Sequence, residues 1–568
     1  MSTGHDPLDA ADILLGPELS RSALLRAPKL QTSRDFTLRI DRTMPFEFVA
    51  RWLPAFCGLW GAKVTCDYSD YDAALHGIGG SSAYDGYVVW LDWRIYASSM
   101  SAREAVGWLA ERLQQLRQST DRTIWVNNWP EASLVDERLF SFRTRDSERS
   151  RQLNYWLSET LAEQTACECI DLNALARTGE DLWDPRNDAA SHYPFSGEAT
   201  LAIARHMGVH LLPAAMGPRL KALALDLDDT LYRGVLGEDG IDGVALTDGH
   251  ADLQRLLARL KASGMLLTIC SRNEEQDVRE LFEKREDFPL RWLDFAAVAA
   301  NWQSKPDNLV RLAAELNIDP SAMLFLDDNP AELLRMAAEQ PSVHILRAEA
   351  DASRTVEKLA HFPGLYQLRP DAEASSRTRD VQANRQRERL RSEASDPLSY
   401  LASLQMVLRL HLNEADHVQR LHDMSHKTNQ FNLALRRMSL QEAQLMMDPG
   451  QYVTVTAALS DQLSDSGIIG AFVCRVEGKE ARLIEALLSC RAFGRGIESL
   501  ILASLLELLT QRGVKWLRMD RAEGSRNAPA REWAERLGPE TGGRYSVRRL
   551  IGTLKKQLGN HPAKVEVV

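Results

Sequence analysis

The chain has little of what marks several broad classes of protein. Its 568 residues include no run close to the ~20 consecutive apolar residues that cross a bilayer, so the sequence predicts no membrane span. Cysteines number only 7, an odd count without the spacing of a disulfide framework, which fits a reducing compartment. The first residues, MSTGHDPLDAADILLG, lack the basic start and apolar stretch of a secretion signal, and the expectation is a cytoplasmic protein. Positive charge is also short, with 68 lysines and arginines against 79 aspartates and glutamates and a net charge of -11. A nucleic-acid binder needs a basic face to displace counterions, so that class is disfavoured. An acidic protein that docks an acidic partner would have to do so through a local basic patch. Internal repeats and low-complexity tracts are missing too.

What is present is the balance of a globular protein, 44% hydrophobic and 26% charged, in a chain too long for one core. Residues 1–34 read as an N-terminal tail with one weak helix. Residues 35–215 form an α/β region, with strand-like runs at Tyr87–Leu91 and Thr123–Val126 and a helical pattern over Ala102–Leu116. The PAAMGP stretch marks its end. Residues 219–370 form a second α/β region. Its short apolar runs Ala222–Leu225, Met265–Cys270 and Met323–Leu326 read as strands buried on both faces, joined by right-handed helical crossovers. Residues 371–399, with RTRDVQANRQRERLRSE, have no apolar stripe and read as a solvated helix or charged linker. Residues 400–568 mix strands and helices.

Chemistry gathers at the ends of the buried runs. In LALDLDDTLYRG, Asp226 and Asp228 follow the first run, where ligands collect in open α/β sheets. Clustered carboxylates need a cation or a shared proton, and Mg²⁺ suits hard oxygen ligands while keeping positions for a phosphate. Ser271 and Arg272 follow the second run, Lys305 lies in SKPDN, and Asp327 and Asp328 lie in FLDDNP. The set provides a nucleophile and an acid/base (Asp226, Asp228), phosphate-binding groups (Ser271, Arg272, Lys305) and metal carboxylates (Asp226, Asp228, Asp327, Asp328). One Asp-rich turn is weak evidence of chemistry. The same elements in order at successive strand ends are much stronger.

In the last region, the run Ala481–Leu488 leads into SCRAFGRGIE and then a helix. Arg491, Gly494 and Gly496 form an R-x-x-G-x-G loop whose free N–H groups suit a phosphate or pyrophosphate; the loop resembles that of the GCN5-related acetyltransferases, which implies coenzyme A or a carrier's phosphopantetheine arm as its ligand. Cys490 sits at this loop, where Arg491, Arg495 and the helix N-terminus would favour its thiolate; a plain strand-end cysteine is the alternative. Cys270 reads as core. Cys167 and Cys169 lack a second ligand pair, and His422 and His426 lack a companion carboxylate.

The segments DLDDTLYRGVLGEDG, SRNEEQDV, DFAAVAANWQSKPDN and FLDDNPAE resemble the haloacid-dehalogenase (HAD) domain of FkbH-like proteins. HKTNQFNLALRR, SDSGIIG and SCRAFGRGIE resemble the C-terminal domain of that family, which is like the GCN5-related acetyltransferases (GNAT). The resemblance implies an α/β multidomain protein: a degenerate SGNH-hydrolase-like domain, a HAD Rossmannoid domain with a minimal cap, and a GNAT-like α+β domain. FkbH-like proteins dephosphorylate 1,3-bisphosphoglycerate and load its glyceryl unit as a thioester on an acyl carrier protein for polyketide assembly. By resemblance, Asp226 is the nucleophile and Asp228 the general acid/base. Ser271 and Lys305 hold phosphate, and Asp327 and Asp328 hold Mg²⁺ with Asp226. Cys490 is then the acyl acceptor, with Asn429, Gln430, Asn432, Arg491, Gly494 and Gly496 around the acyl or pantetheine group. The partners implied are a phosphopantetheinylated acyl carrier protein and a small phosphorylated substrate, with no nucleic acid and no membrane. The first domain lacks the SGNH serine motif at Phe36–Thr43, and Asp188 and His192 lack the usual spacing, so it reads as a dead scaffold or carrier dock. Departures from the family pattern at Asp229, Tyr232 and Arg233, and DQLSDSG, leave the acyl donor open. The alternatives are a plain HAD phosphatase with a partner-binding third domain, an acyltransferase using acyl-CoA, and a scaffold without turnover.

Overall fold

A computed structural model describes residues 7–71, 83–97, 99–131, 146–164, 166–176, 182–217, 219–368, 377–394, 396–489, 492–524, 526–538 and 543–568. The chain forms two compact units, Met1–Ser375 and Ser376–Val568. Among the described residues no helix is long and apolar enough to cross a membrane.

The first unit holds two parallel sheets. Strands β1 (Arg34–Arg42), β2 (Ala62–Tyr68), β3 (Gly86–Trp90), β4 (Ile124–Asn127) and β5 (Cys167–Ile170) run in the order β2-β1-β3-β4-β5. Central strand β3 is buried at every position, as a strand covered on both faces must be. The helix Ala102–Ser119 lays Ala105, Val106, Leu109, Leu113 and Leu116 on the core and starts with a Ser101–Glu104 capping box.

The second sheet is built from β6 (Ala222–Leu225), β7 (Leu266–Ser271), β8 (Phe295–Ala300), β9 (Met323–Asp327) and β10 (His344–Arg347), in the order β10-β9-β6-β7-β8. All its pairings are parallel. From β6 the chain steps outward to β7 and β8, then returns to β9 on the other side of β6. The order reverses between β6 and β9, and a crevice opens at their carboxyl ends. Between β6 and the helix Asp248–Ala262 there is only a short broken helix, Leu236–Gly243, so no large cap is inserted there.

The first 34 residues depart from the expected tail. They hold the helices Pro7–Leu15 and Arg21–Arg26, with Leu8, Ala11, Leu14 and Leu15 buried. The first packs beside β10 and the helix Ala352–Ala360. Asp12 pairs with Lys358 at 2.6 Å and with Arg347. The two sheets of this unit also meet at a histidine cluster. A π-helical turn, Met207–Leu211, brings His210 Nε2 to 3.1 Å from His361 Nδ1, with the rings of His206 and Tyr366 alongside.

The second unit is a seven-stranded sheet of β11 (Val407–Leu412), β12 (Tyr452–Ser460), β13 (Asp465–Glu477), β14 (Glu480–Leu488), β15 (Trp516–Met519), β16 (Arg544–Ser546) and β17 (Lys564–Val567). Their order is β16-β15-β14-β13-β12-β11-β17; only β14/β15 and β11/β17 are parallel. The helix Ile497–Gln511 buries Ile497, Ile501, Leu502, Leu505, Leu506 and Leu509. The expected charged linker is corrected in part: Arg377–Glu393 is a helix anchored by a buried ion pair. Arg387 grips Asp461 with two bonds of 2.8 Å, and both side chains are almost fully buried. An ionic anchor leaves no apolar stripe for a sequence pattern to register.

Candidate active site

The crevice between β6 and β9 collects the acids. Asp226 follows β6 directly, and its N–H donates to the Leu326 carbonyl of the neighbouring strand (2.9 Å). Asp327 ends β9. Its Oδ1 accepts the Asn329 N–H (2.8 Å), and the Asn329 side chain caps the next helix, Pro330–Glu339. Lys305 opens the helix Lys305–Glu315 behind the N-cap Ser304 and reaches between the acids. Its Nζ lies 2.9 Å from Asp226 Oδ1 and 2.6 Å from Asp327 Oδ2. Asp226, Asp327 and Lys305 are all buried.

Asp226, Asp327 and Asp328 each offer a carboxylate oxygen, and the three oxygens lie within 4.8 Å of one another. Burial drives the carboxyl groups of Asp226 and Asp327 up from their ordinary range; the Asp226 charge adds to the rise at Asp327, and Lys305 opposes the rise in both. Burial also raises Asp328, with Asp226 and Asp229 adding to it. Burial alone would lower the Lys305 ammonium, but Asp226 and Asp327 outweigh it and hold it above its usual value. Crowded buried carboxylates of this kind want a cation, and an all-oxygen donor set fits Mg²⁺. This is the one such ligand group among the described residues.

Asp228 stands apart. Its Oδ1 accepts from the Tyr232 hydroxyl (2.8 Å) and the Leu236 N–H (2.9 Å), and its Oδ2 from Asn273 Nδ2 (2.9 Å). Asp228, expected as a fourth metal carboxylate, lies outside the grouped oxygens, and its side chain accepts from three donors there. Ser271 lies at the crevice, hydrogen-bonded to Asp226 and to Asn273 Nδ2 (3.1 Å). Arg272, expected to hold phosphate, lies at the end of β7 beside Ser271. Its guanidinium pairs with Glu332 at 2.7 Å and is half exposed. Asn273 and Tyr232 are the residues that sequence reasoning did not place in the site. Their only signal was position, one in SRN after β7 and one in DTLYRG after β6.

In the second unit, Cys490 and Arg491 lie outside the described residues. Gly494 (φ +73°) and Gly496 (φ +68°) both adopt the left-handed conformation that favours glycine. Arg495 between them is buried and pairs with Asp461 at 3.0 Å, while its carbonyl meets His561 Nε2 at 2.8 Å. Asn429 is exposed and accepts from Arg437 (2.7 Å), and Gln430 is exposed. Asn432 is fully buried, with its backbone bridged to Leu487. Of the three amides expected around one acyl group, two are thus exposed and one is buried. His422 Nδ1 meets the Met438 carbonyl (2.7 Å), and no metal group forms there among the described residues.

In the first sheet's crevice, Asp188 is held by Arg94 at 2.5 and 3.0 Å, and the same guanidinium binds Asp92 at 2.9 and 2.7 Å. His192 ends the helix Pro185–Ser191 in a left-handed conformation.

No family model matches the chain, and no curated protein matches it. Among solved structures, the chain is similar to the N-terminal part of a Bacteroides fragilis protein containing a phosphatase domain, complexed with Mg. Identity is 19%, the TM-score is 0.51, and the match covers 64% of this chain and 100% of that one. Also similar are the ribosomal-protein-S18-alanine N-acetyltransferase of Escherichia coli (18%, TM-score 0.19, 24% of this chain and 88% of that one) and a HAD family enzyme of Bacteroides thetaiotaomicron in complex with magnesium and inorganic phosphate (14%, TM-score 0.18, 23% and 95%). The last two are too distant to bear on the fold. The first establishes a shared fold over its matched part.

Proposed function

We propose that the chain is a Mg²⁺-dependent HAD-type phosphatase and acyltransferase that converts 1,3-bisphosphoglycerate, or a related phosphorylated hydroxyacyl donor, to a thioester on an acyl carrier protein. The observation that carries the phosphatase half is the Asp226–Lys305–Asp327 bridge, with Asp328 beside it, at the point where the strand order reverses. Asp226 attacks the phosphorus of the ester, and Asp228 passes a proton to the departing oxygen. Tyr232, Asn273 and the Leu236 N–H hold Asp228 for that transfer. Water then opens the aspartyl-phosphate, with Asp228 taking its proton, and phosphate leaves. Lys305 and Ser271 bind the phosphoryl oxygens. Asp226, Asp327 and Asp328 would hold Mg²⁺, which offsets charge on the transferring group. In the acyl half, a thiolate displaces the acyl phosphate to give a thioester and free phosphate; Cys490 is the candidate by resemblance.

The test is to incubate the protein with Mg²⁺, 1,3-bisphosphoglycerate and a phosphopantetheinylated carrier and to take intact masses. A glyceryl adduct on the enzyme and then on the carrier is the expected result. Phosphate release without loading would leave a plain phosphatase. Normal loading by Cys490→Ala would remove the covalent cysteine step.

A further inference from the structure

Strands β14 and β15 pair only over Glu480–Leu483 and Trp516–Met519. The Asp520 N–H still reaches the Leu483 carbonyl (2.9 Å), and beyond it the two strands part. A bulge turns β14 at that point: Val473 faces Glu485 and Cys474 faces Leu483, leaving Ile484 without an opposite residue. Past the bulge, β14 keeps β13 on one side, through Gly470–Phe472. Its other edge opens onto the gap left by β15, and the strand ends at Leu488, ahead of the glycines Gly494 and Gly496 in the chain. An open strand edge recruits an extended ligand by strand addition. On the acyl-transfer reading, a pantetheine arm is such an extended ligand.

The chain itself fills this edge. The Leu433 N–H donates to the Ala486 carbonyl (3.1 Å), the Leu488 N–H donates to the Phe431 carbonyl (3.0 Å), and Asn432 forms an antiparallel bridge with Leu487. On the far side of the gap, the Ala522 N–H donates to the Leu433 carbonyl (2.9 Å), and Asn527 Nδ2 donates to the Asn432 carbonyl (2.9 Å). The Glu485 carboxylate takes the next two donors, the N–H groups of Ala434 and Arg436, at 2.9 Å each. Phe431, Asn432, Leu433, Glu485 and Asn527 are all buried. The segment thus has partners on both sides and is clamped at its end by a carboxylate from the strand it lies on.

We infer that Phe431–Leu433 is a built-in strand occupying the extended-ligand groove between β14 and β15, so that neither free coenzyme A nor a carrier's pantetheine arm lies there. An acyl thioester has to meet the glycine turn from outside the gap. The choice of ligand class rests on the acyl-transfer reading above; the occupied groove does not. It weighs against an acyltransferase that draws on acyl-CoA in this groove.

The experiment is hydrogen–deuterium exchange of the full-length protein, followed by mass spectrometry, with and without millimolar coenzyme A. The expected result is slow exchange in the peptide covering Phe431–Arg436 and at Leu488, unchanged by coenzyme A. Fast exchange of that peptide in the free protein overturns the inference, as does loss of its protection when coenzyme A is added. Glu485→Gln replaces one acceptor by a donor and should speed exchange of the peptide about tenfold. An unchanged rate in a folded variant would overturn the clamp, and if the variant does not fold, the wild-type measurement decides. No turnover is read, so a protein that keeps the protected segment but loads no carrier refutes the proposed function alone.

Discussion

The first unit carries two five-stranded parallel sheets, each with a reversal in strand order and acids at its carboxyl ends. In one crevice, Arg94 forks across Asp92 and Asp188 and bonds all four of their carboxylate oxygens. In the other, Lys305 touches one oxygen of Asp226 and one of Asp327, and Asp328 adds a third carboxylate. A guanidinium consumes the acceptor capacity of its partners, whereas an ammonium is a point charge that leaves oxygens over. The same architecture is thus closed in one place and chemically open in the other.

The largest test of that contrast is a pair of variants. Asp226→Asn should lower phosphate release from a small phosphomonoester by about a thousandfold or more, because the attacking oxygen is lost. Asp92→Asn in the first crevice should change the rate by less than about twofold. Equal losses from both would mean that the crevices do not differ as described. Next comes the ion itself. Mg²⁺ at a hundred times its dissociation constant should stabilise the folded protein by ~2.7 kcal/mol, read as a rise in Tm that chelation reverses. Asp327→Asn should abolish the rise, and a rise that survives would place the ion elsewhere.

The second sheet and its acids were legible in the sequence because each signal is local. Ala222–Leu225 and Met323–Leu326 are apolar runs followed at once by aspartates, and a strand end fixes where the next residue stands. The supports of Asp228 were not legible, because Asn273 reaches it from another strand, 45 residues on. The first 34 residues carried a readable helical face at Leu8, Ala11, Leu14 and Leu15, undervalued because its partner surface lies more than three hundred residues away. Arg387 was hidden more thoroughly, since burying an arginine depends on an aspartate 74 residues on.

The histidine cluster tests whether the two sheets behave as one body. Burial holds His206 at about 4 and His361 at about 3, and it lowers His210 well below its ordinary value. Their unfolded values are near 6.5. As pH falls below that, the unfolded chain takes up protons that the folded one refuses, and stability drops by up to ~1.4 kcal/mol per pH unit for each histidine. Repulsion from the neighbouring rings adds to the refusal at His210 and His361. Between pH 7.5 and 5.5, the transition of the first unit should move to lower temperature, and His361→Gln should flatten that slope. A transition flat with pH in the wild type would mean that the cluster is open to solvent.

The smallest effect is the most informative about the closed crevice. Arg94→Met removes the fork but keeps an apolar stem near the Trp129 ring, over which the guanidinium now lies at 5.6 Å. Asp92 is nearly buried, so losing its partner costs stability, but Arg94 and Asp188 are partly exposed and solvent screens much of the pair. A loss of about 1 kcal/mol is expected, against the 3–5 kcal/mol of a fully buried pair. Arg94→Lys should recover only part of it, since an ammonium cannot fork across both acids. The decisive readout is Mg²⁺ titration of Arg94→Met on an Asp327→Asn background. With no rise in Tm, the oxygens freed at Asp92 and Asp188 do not converge on an ion, and the two crevices differ in geometry as well as charge. A rise would mean that Arg94 alone keeps the first crevice from being a cation site like the second.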